Sequence, residues 1–193
     1  MPDARKIAVI GLGSMGYGMA QSVLRAGHDT FGTDINQDAE ARFRAEGGAS
    51  GALDDVAGGL DAVAVVVLNA AQTEAVLFGE AGVVPRMQPG AVVMACATVP
   101  PEFARTMEAR CASHGVYYLD APISGGSVKA AQGALSVMAA GSAEAFAAAA
   151  PVLEATAETV FELGDAAGAG SAMKAVNQLL AGVHIAAMAE ALT

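Results

Sequence analysis

Lys174 is the only lysine or arginine between Ala130 and Thr193, and it sits in a long apolar stretch. Asn177 and Gln178 follow three and four residues later, so in a helix all three share one face. A cation held near apolar surface loses hydration, which favours the neutral amine. A lysine tuned in that way suits proton exchange near neutral pH. The same spacing also describes a surface lysine that lays its stem on apolar neighbours and keeps its ammonium wet. His184, in the same stretch, reads as a packed core histidine. Farther upstream, Asp120-Ala121-Pro122-Ile123-Ser124-Gly125-Gly126-Ser127 follows a strand-like run. The hydroxyl of Ser124 and the bare backbone N–H groups of Gly125 and Gly126, at a strand's carboxyl end, suit a carboxylate. A plain turn is the other reading of those residues.

Near the N-terminus, Gly11-Leu12-Gly13-Ser14-Met15-Gly16 follows an apolar run and opens a helical stretch. This is G-x-G-x-x-G in the setting where it cradles a dinucleotide. Gly11 permits the tight turn, Gly13 lets the backbone approach a pyrophosphate, and Gly16 lets helix pack closely on strand. The helix N-terminus adds free N–H groups and the positive end of its dipole. Asp34 lies 18 residues after Gly16, at the end of a second apolar run. An acid there accepts hydrogen bonds from a ribose 2′-hydroxyl and repels a 2′-phosphate. Ile35, Asn36 and Gln37 offer no cation to offset that repulsion, and Arg42 and Arg44 come only later. NAD is therefore favoured over NADP. A glycine-rich turn without a ligand, and an Asp34 that caps a helix or ends a strand in water, are the competing readings.

These residues need a scaffold that gathers strand ends. Short β-branched runs predict strands at Lys6–Ile10, Thr30–Asp34, Ala62–Leu68, Ala91–Cys96, Val116–Asp120, Leu135–Ala140 and Val160–Leu163. Between them lie helical stretches: one from the glycine motif through Ala26, then Ala39–Glu46, Gln72–Phe78, Pro101–His114 and Ala143–Thr156. Nearly continuous valine, as in Ala62–Leu68, marks a parallel strand covered on both faces. The alternation predicts an α/β chain with a Rossmann-type, doubly wound, mostly parallel sheet. Gly164–Gly170 breaks the pattern. Ser171–Leu192 then predicts a helix of about 22 residues, about 33 Å long. It is apolar nearly all round, and such a helix needs covering. The reading divides the chain into a nucleotide-binding domain over 1–164 and the start of a long interdomain helix over 165–193. It expects the cover to come from a missing C-terminal domain or a partner.

Composition narrows the function classes. The chain has 193 residues, a net charge of −10 and 54% hydrophobic residues, with a sequence pI near 4.6. That acidity argues against nucleic acid or an anionic membrane as the main partner. Mean hydropathy is high at +0.45, yet no uninterrupted apolar run reaches the roughly 18 residues of a membrane span. Apolar content is ample to offset chain entropy, which excludes disorder. Cys96 and Cys111 make no disulfide framework in a chain of this size and read as reduced thiols. No residue set suggests a metal. The N-terminal residues do not form a signal peptide, so the cytoplasm is the default expectation.

GLGSMGYGMA, DAPISGG and GAGSAMKAVNQ, in this order and spacing, resemble the β-hydroxyacid dehydrogenases over the whole chain. The resemblance implies NAD(P) on the Gly11–Gly16 loop and a substrate carboxylate on Ser124, Gly125 and Gly126. It implies Lys174 as general acid/base, with Asn177 or Gln178 positioning the substrate; both stay open. Leu68, Asn69 and Thr98 match positions that line the adenine and nicotinamide sides of the cofactor. Cys96-Ala97-Thr98 replaces the Ser-Thr of many members. With LNAAQ and the stretch around the glycine motif, it points toward the L-threonate dehydrogenase branch. 3-Hydroxyisobutyrate dehydrogenases and tartronate semialdehyde reductases are the alternatives within the family. A non-catalytic nucleotide-binding module is the alternative outside enzymes. Imine-reducing relatives usually lack a lysine at position 174, and 6-phosphogluconate dehydrogenase calls for more cations than this chain holds. Relatives continue into an all-helical domain that closes the cleft and forms a homo-oligomer. The expectation is therefore a chain that binds NAD and a small hydroxy acid but turns over slowly on its own.

Overall fold

The computed structural model describes residues 4–192. Its first sheet has five parallel strands: β1 (Lys6–Ile10), β2 (Asp29–Thr33), β3 (Ala62–Val65), β4 (Val92–Ala95) and β5 (Tyr117–Asp120). Their order across the sheet is β2-β1-β3-β4-β5, all parallel. A second sheet holds β6 (Ile123–Ser124), β7 (Leu135–Ala139) and β8 (Ala157–Glu162) in that order. It adjoins the first where Asp120 and Ala140 exchange backbone hydrogen bonds at 3.0 and 2.9 Å. The α-helices are α1 (Gly16–Arg25), α2 (Gln37–Ala45), α3 (Leu53–Val56), α4 (Ala70–Phe78), α5 (Pro101–Ala112), α6 (Gly126–Gln132), α7 (Ala143–Thr156) and α8 (Ala169–Ala191). The chain is α/β, as its pattern predicts.

Helices cover both faces of the parallel sheet, and the strands divide their side chains between two cores. Ile7 and Val9 join Met19, Val23 and Leu153 on one face. Ala8 and Ile10 join Val63, Leu77 and Met107 on the other. This is the period-two alternation of a strand with two apolar surroundings. Strand order reverses between β1 and β3, and ligands in such sheets bind in the crevice outside those carboxyl ends.

Several boundaries differ from the sequence reading. β2 ends at Thr33, one residue before Asp34, and β3 ends at Val65 rather than Leu68. Past Val66, whose N–H donates to the Ile10 carbonyl at 2.8 Å, the chain leaves the sheet for the crevice. α6 stands where only a turn is expected. It rests on α1: a side-chain carbon at Gly18 would lie 2.6 Å from Ala131 N. The Ser22 hydroxyl donates to the Ala130 carbonyl at 2.9 Å. That long-range packing holds the Ser124–Gly126 turn beside the glycine loop.

α8 packs on the sheet through its first two turns only. Gly170, Ser171 and Lys174 are its buried residues, while Leu179, Val183, Ile185 and Met188 are exposed. His184 is exposed as well, which corrects the core histidine expected there. Among the described residues, no helix is long and apolar enough to cross a membrane.

Candidate active site

The glycine loop is built by close backbone approach. Gly11 has φ of +98°, the left-handed region that disfavours other residues. A side-chain carbon at Gly16 would lie 1.8 Å from the Gly11 carbonyl oxygen, so the start of α1 sits directly on the loop. Gly13 differs, because a carbon added there meets nothing within 4 Å. The missing side chain therefore leaves open cleft rather than a packed contact. α1 starts without a side-chain cap or an acidic residue in its first turn. The positive end of its dipole is available to an anion. This arrangement fits the pyrophosphate of a dinucleotide.

Asp34 is half-buried beside the loop. Its Oδ2 accepts from the Leu12 N–H at 2.5 Å, and its Oδ1 accepts from the Asn36 N–H at 2.8 Å. Its own N–H donates to Glu40 Oε1 at 2.9 Å. The carboxylate is thus oriented at the crevice by the backbone of both flanking segments. Ile35 next to it is fully exposed.

A cleft of about 390 Å³ gathers most of the residues singled out by sequence. Gly13, Ser14, Met15 and Gly16 come from the glycine loop; Leu68 follows β3, and Thr98 follows β4. Ser124, Gly125 and Gly126 come from the turn after β5, and Lys174 and Gln178 from α8. Gly11, Leu12, Asp34, Ile35, Asn69 and Asn177 are not among its lining. Leu12 instead borders a neighbouring hollow of about 600 Å³ with Tyr17, Asn36, Arg42 and Ser127. Asn69 caps α4, its side chain accepting from the Gln72 N–H at 2.9 Å. Asn177 is half-buried and Gln178 exposed.

Lys174 is buried at 7% exposure. Burial lowers its ammonium below the usual lysine value, because the charged form loses more hydration than the neutral one. Cys96 also borders the cleft, and burial pushes its thiol up to about 12. It is therefore held as a thiol at neutral pH, inert as a nucleophile. Among the described residues, no group of three or more His, Cys, Asp or Glu could hold a metal ion.

Two residues behind the site carry no role in the sequence reading. Asp120 Oδ2 accepts from the Gly168 and Ser171 N–H groups at 2.8 and 2.9 Å. Glu108 Oε1 accepts from the Ala167 N–H at 3.0 Å. Hydrogen bonds to a charged acceptor contribute about 1.5–3 kcal/mol each, so these tie the start of α8 to β5 and α5. The available signal was an acid ending a buried strand, opposite the uncapped, glycine-rich start of a helix.

Comparison with known proteins agrees with this architecture. Residues 6–164 match the family described as the NAD binding domain of 6-phosphogluconate dehydrogenase. An L-threonate dehydrogenase of Cupriavidus necator is 51% identical over 190 residues, covering 98% of this chain and 64% of that protein. A 3-hydroxyisobutyrate dehydrogenase of Pseudomonas aeruginosa is 39% identical over 189 residues, covering 96% and 62%. A crystal structure from Salmonella typhimurium, described as 3-hydroxyisobutyrate dehydrogenase, superposes with a TM-score of 0.92 at 48% identity, covering 98% of this chain and 66% of that one. The chain thus spans less than two thirds of the length of these relatives. The glycine loop at the switch point, the family match over residues 6–164 and the relatives that cover nearly the whole chain lead to one conclusion. The chain belongs to the family of the NAD-binding domain of 6-phosphogluconate dehydrogenase, the family that includes the β-hydroxyacid dehydrogenases.

Proposed function

We propose that this chain is the cofactor-binding part of an NAD-dependent dehydrogenase that oxidises a small hydroxy acid, with L-threonate as the preferred substrate. The observation that carries the reading is the single cleft lined by the glycine loop, the Ser124–Gly126 turn and buried Lys174. Relatives named for L-threonate at about half identity support the substrate. The similar structure described as 3-hydroxyisobutyrate dehydrogenase supports the alternative within the same class.

On this reading, Gly11–Gly16 and the start of α1 hold the pyrophosphate, and Asp34 holds the adenosine ribose and selects NAD over NADP. Ile35, Leu68, Asn69 and Thr98 flank the cofactor. The Ser124 hydroxyl and the Gly125 and Gly126 N–H groups hold the substrate carboxylate. NAD held by these residues would supply the hydride acceptor for the substrate carbon. Neutral Lys174 Nζ takes the hydroxyl proton in the same direction. In reverse, protonated Lys174 donates to the carbonyl oxygen and stabilises its developing charge. Asn177 or Gln178 orients the substrate. Residues 1–164 form the binding domain and 165–193 begin the interdomain helix. The activity belongs to a protein of the relatives' length, cytoplasmic and homo-oligomeric, in which the cleft is closed against water.

The test is NADH formation with L-threonate, D-threonate, 3-hydroxyisobutyrate and glycerate, for a protein of that length and for this chain alone. L-Threonate should give the highest kcat/KM, with this chain alone slow. Lys174→Ala should lower turnover about 10²–10⁴-fold with NAD affinity little changed. A near-normal rate in that variant removes Lys174 from its role. NAD binding with none of the four oxidised favours a non-catalytic module instead.

A further inference from the structure

Asp120 closes β5 and is fully buried. All three of its side-chain partners lie at the start of α8: the Gly168 N–H at 2.8 Å, the Ser171 N–H at 2.9 Å and the Ser171 hydroxyl at 2.6 Å. A buried carboxylate is costly unless hydrogen bonds and nearby positive charge replace its water. Here the donors and the positive end of the α8 dipole supply both. Arg105 and Glu108 on α5 are the charged groups beside the same turn.

The attachment is also steric. A side-chain carbon at Gly170 would lie 2.4 Å from the Met138 carbonyl oxygen and 2.7 Å from that of Asp120. The first turn of α8 therefore rests on the ends of β5 and β7. Lys174 comes one turn after Ser171, on the same helix face, and it is the last buried residue of the helix. Beyond it the described residues of α8 are exposed, apart from half-buried Asn177.

We infer that Asp120 is a positioning residue: by fixing the first turn of α8, its carboxylate aims Lys174 into the cleft. The inference rests on the proposed proton-transfer role of Lys174 for its meaning, but its test does not depend on turnover.

The chain has three lysines, Lys6, Lys129 and Lys174, so reductive methylation with ¹³C-formaldehyde gives three lysine dimethylamine signals beside that of the α-amine, each followed against pH. Lys6 and Lys129 serve as internal controls. Asp120→Asn can keep its carbonyl oxygen on the two N–H groups only by turning its NH₂ to the Ser171 hydroxyl, and it removes the charge that strengthens all three bonds, which loosens the turn. The Lys174 midpoint should then move up toward the ordinary lysine value by about half a pH unit or more, as its ammonium gains water. Ser171→Ala, which removes one hydrogen bond and leaves two, should move it in the same direction by less. An unchanged midpoint in folded Asp120→Asn overturns the inference. A fall in the midpoint also overturns it, because that is the sign expected if Asp120 acts on Lys174 as a charge. Should Asp120→Asn fail to fold, Ser171→Ala decides alone: no shift in a folded variant refutes the positioning role. Should the midpoint rise while Lys174→Ala keeps normal turnover, positioning stands and the proton-transfer reading falls.

Discussion

Replacing Gly13 by alanine should separate folding from dinucleotide binding. Gly13 is not in the left-handed region, and a side-chain carbon there meets nothing within 4 Å. The folded chain therefore bears no clash. Alanine also restricts the unfolded chain, which stabilises by about 0.4–1 kcal/mol at a compatible site. The melting temperature should stay level or rise by about 2–4 °C. The added methyl does, however, enter the space through which the loop would approach a pyrophosphate. NADH affinity should fall about 10–100-fold, or about 1.4–2.8 kcal/mol. Gly16→Ala is the control with the opposite pattern. Its methyl would lie 1.8 Å from the Gly11 carbonyl oxygen, and backbone must move to admit it, at about 1–3 kcal/mol for overpacking. NADH fluorescence titration and thermal melting on both variants read the two effects. Wild-type NADH affinity in Gly13→Ala, or a melting temperature lowered as far as in Gly16→Ala, would refute the assignment of that open edge to the cofactor.

Three more outcomes follow from buried titratable groups. Burial lowers the Lys174 pKa, so hydroxy-acid oxidation should rise with pH and level off below the range of an ordinary lysine. In that window the unfolded chain binds more protons than the folded one, so stability should rise with pH there too; Lys174→Met should flatten that part of a denaturation series, and a slope that persists points to another group. Burial pushes both Cys96 and Cys111 up to about 12, leaving roughly one thiolate in 10⁴ molecules at pH 8. A chromogenic disulfide reagent should therefore label neither thiol until the chain unfolds, and rapid labelling of one in the native protein would contradict the packing around it.

What could be read along the chain was local. Lys6–Ile10 and Ala143–Thr156 were legible to the residue, because β-branched alternation and an alanine-rich run capped by Ser142 act over a few residues. Gly11–Gly16 was legible because its glycines answer to the turn they occupy. The meeting of Lys174 and the Ser124–Gly126 turn in one cleft was implied by the family resemblance, but no local pattern of residues required it. That depends on α6 resting on α1 at Gly18 and on α8 resting on the strand ends at Gly170. Asp120 lies 48 and 51 residues from the backbone donors it accepts, and no pattern in the sequence pairs them. His184 fails for the same reason: an apolar stretch shows that a helix has surface to bury, not which turns find a neighbour. By itself the sequence determined the alternation of the five parallel strands with most of their helices, the glycine loop and the chemical types at the site. Only the tertiary structure decided the strand order, the burial of Lys174 and its anchor, because backbone propensity is set by near neighbours and desolvation by what packs from far along the chain.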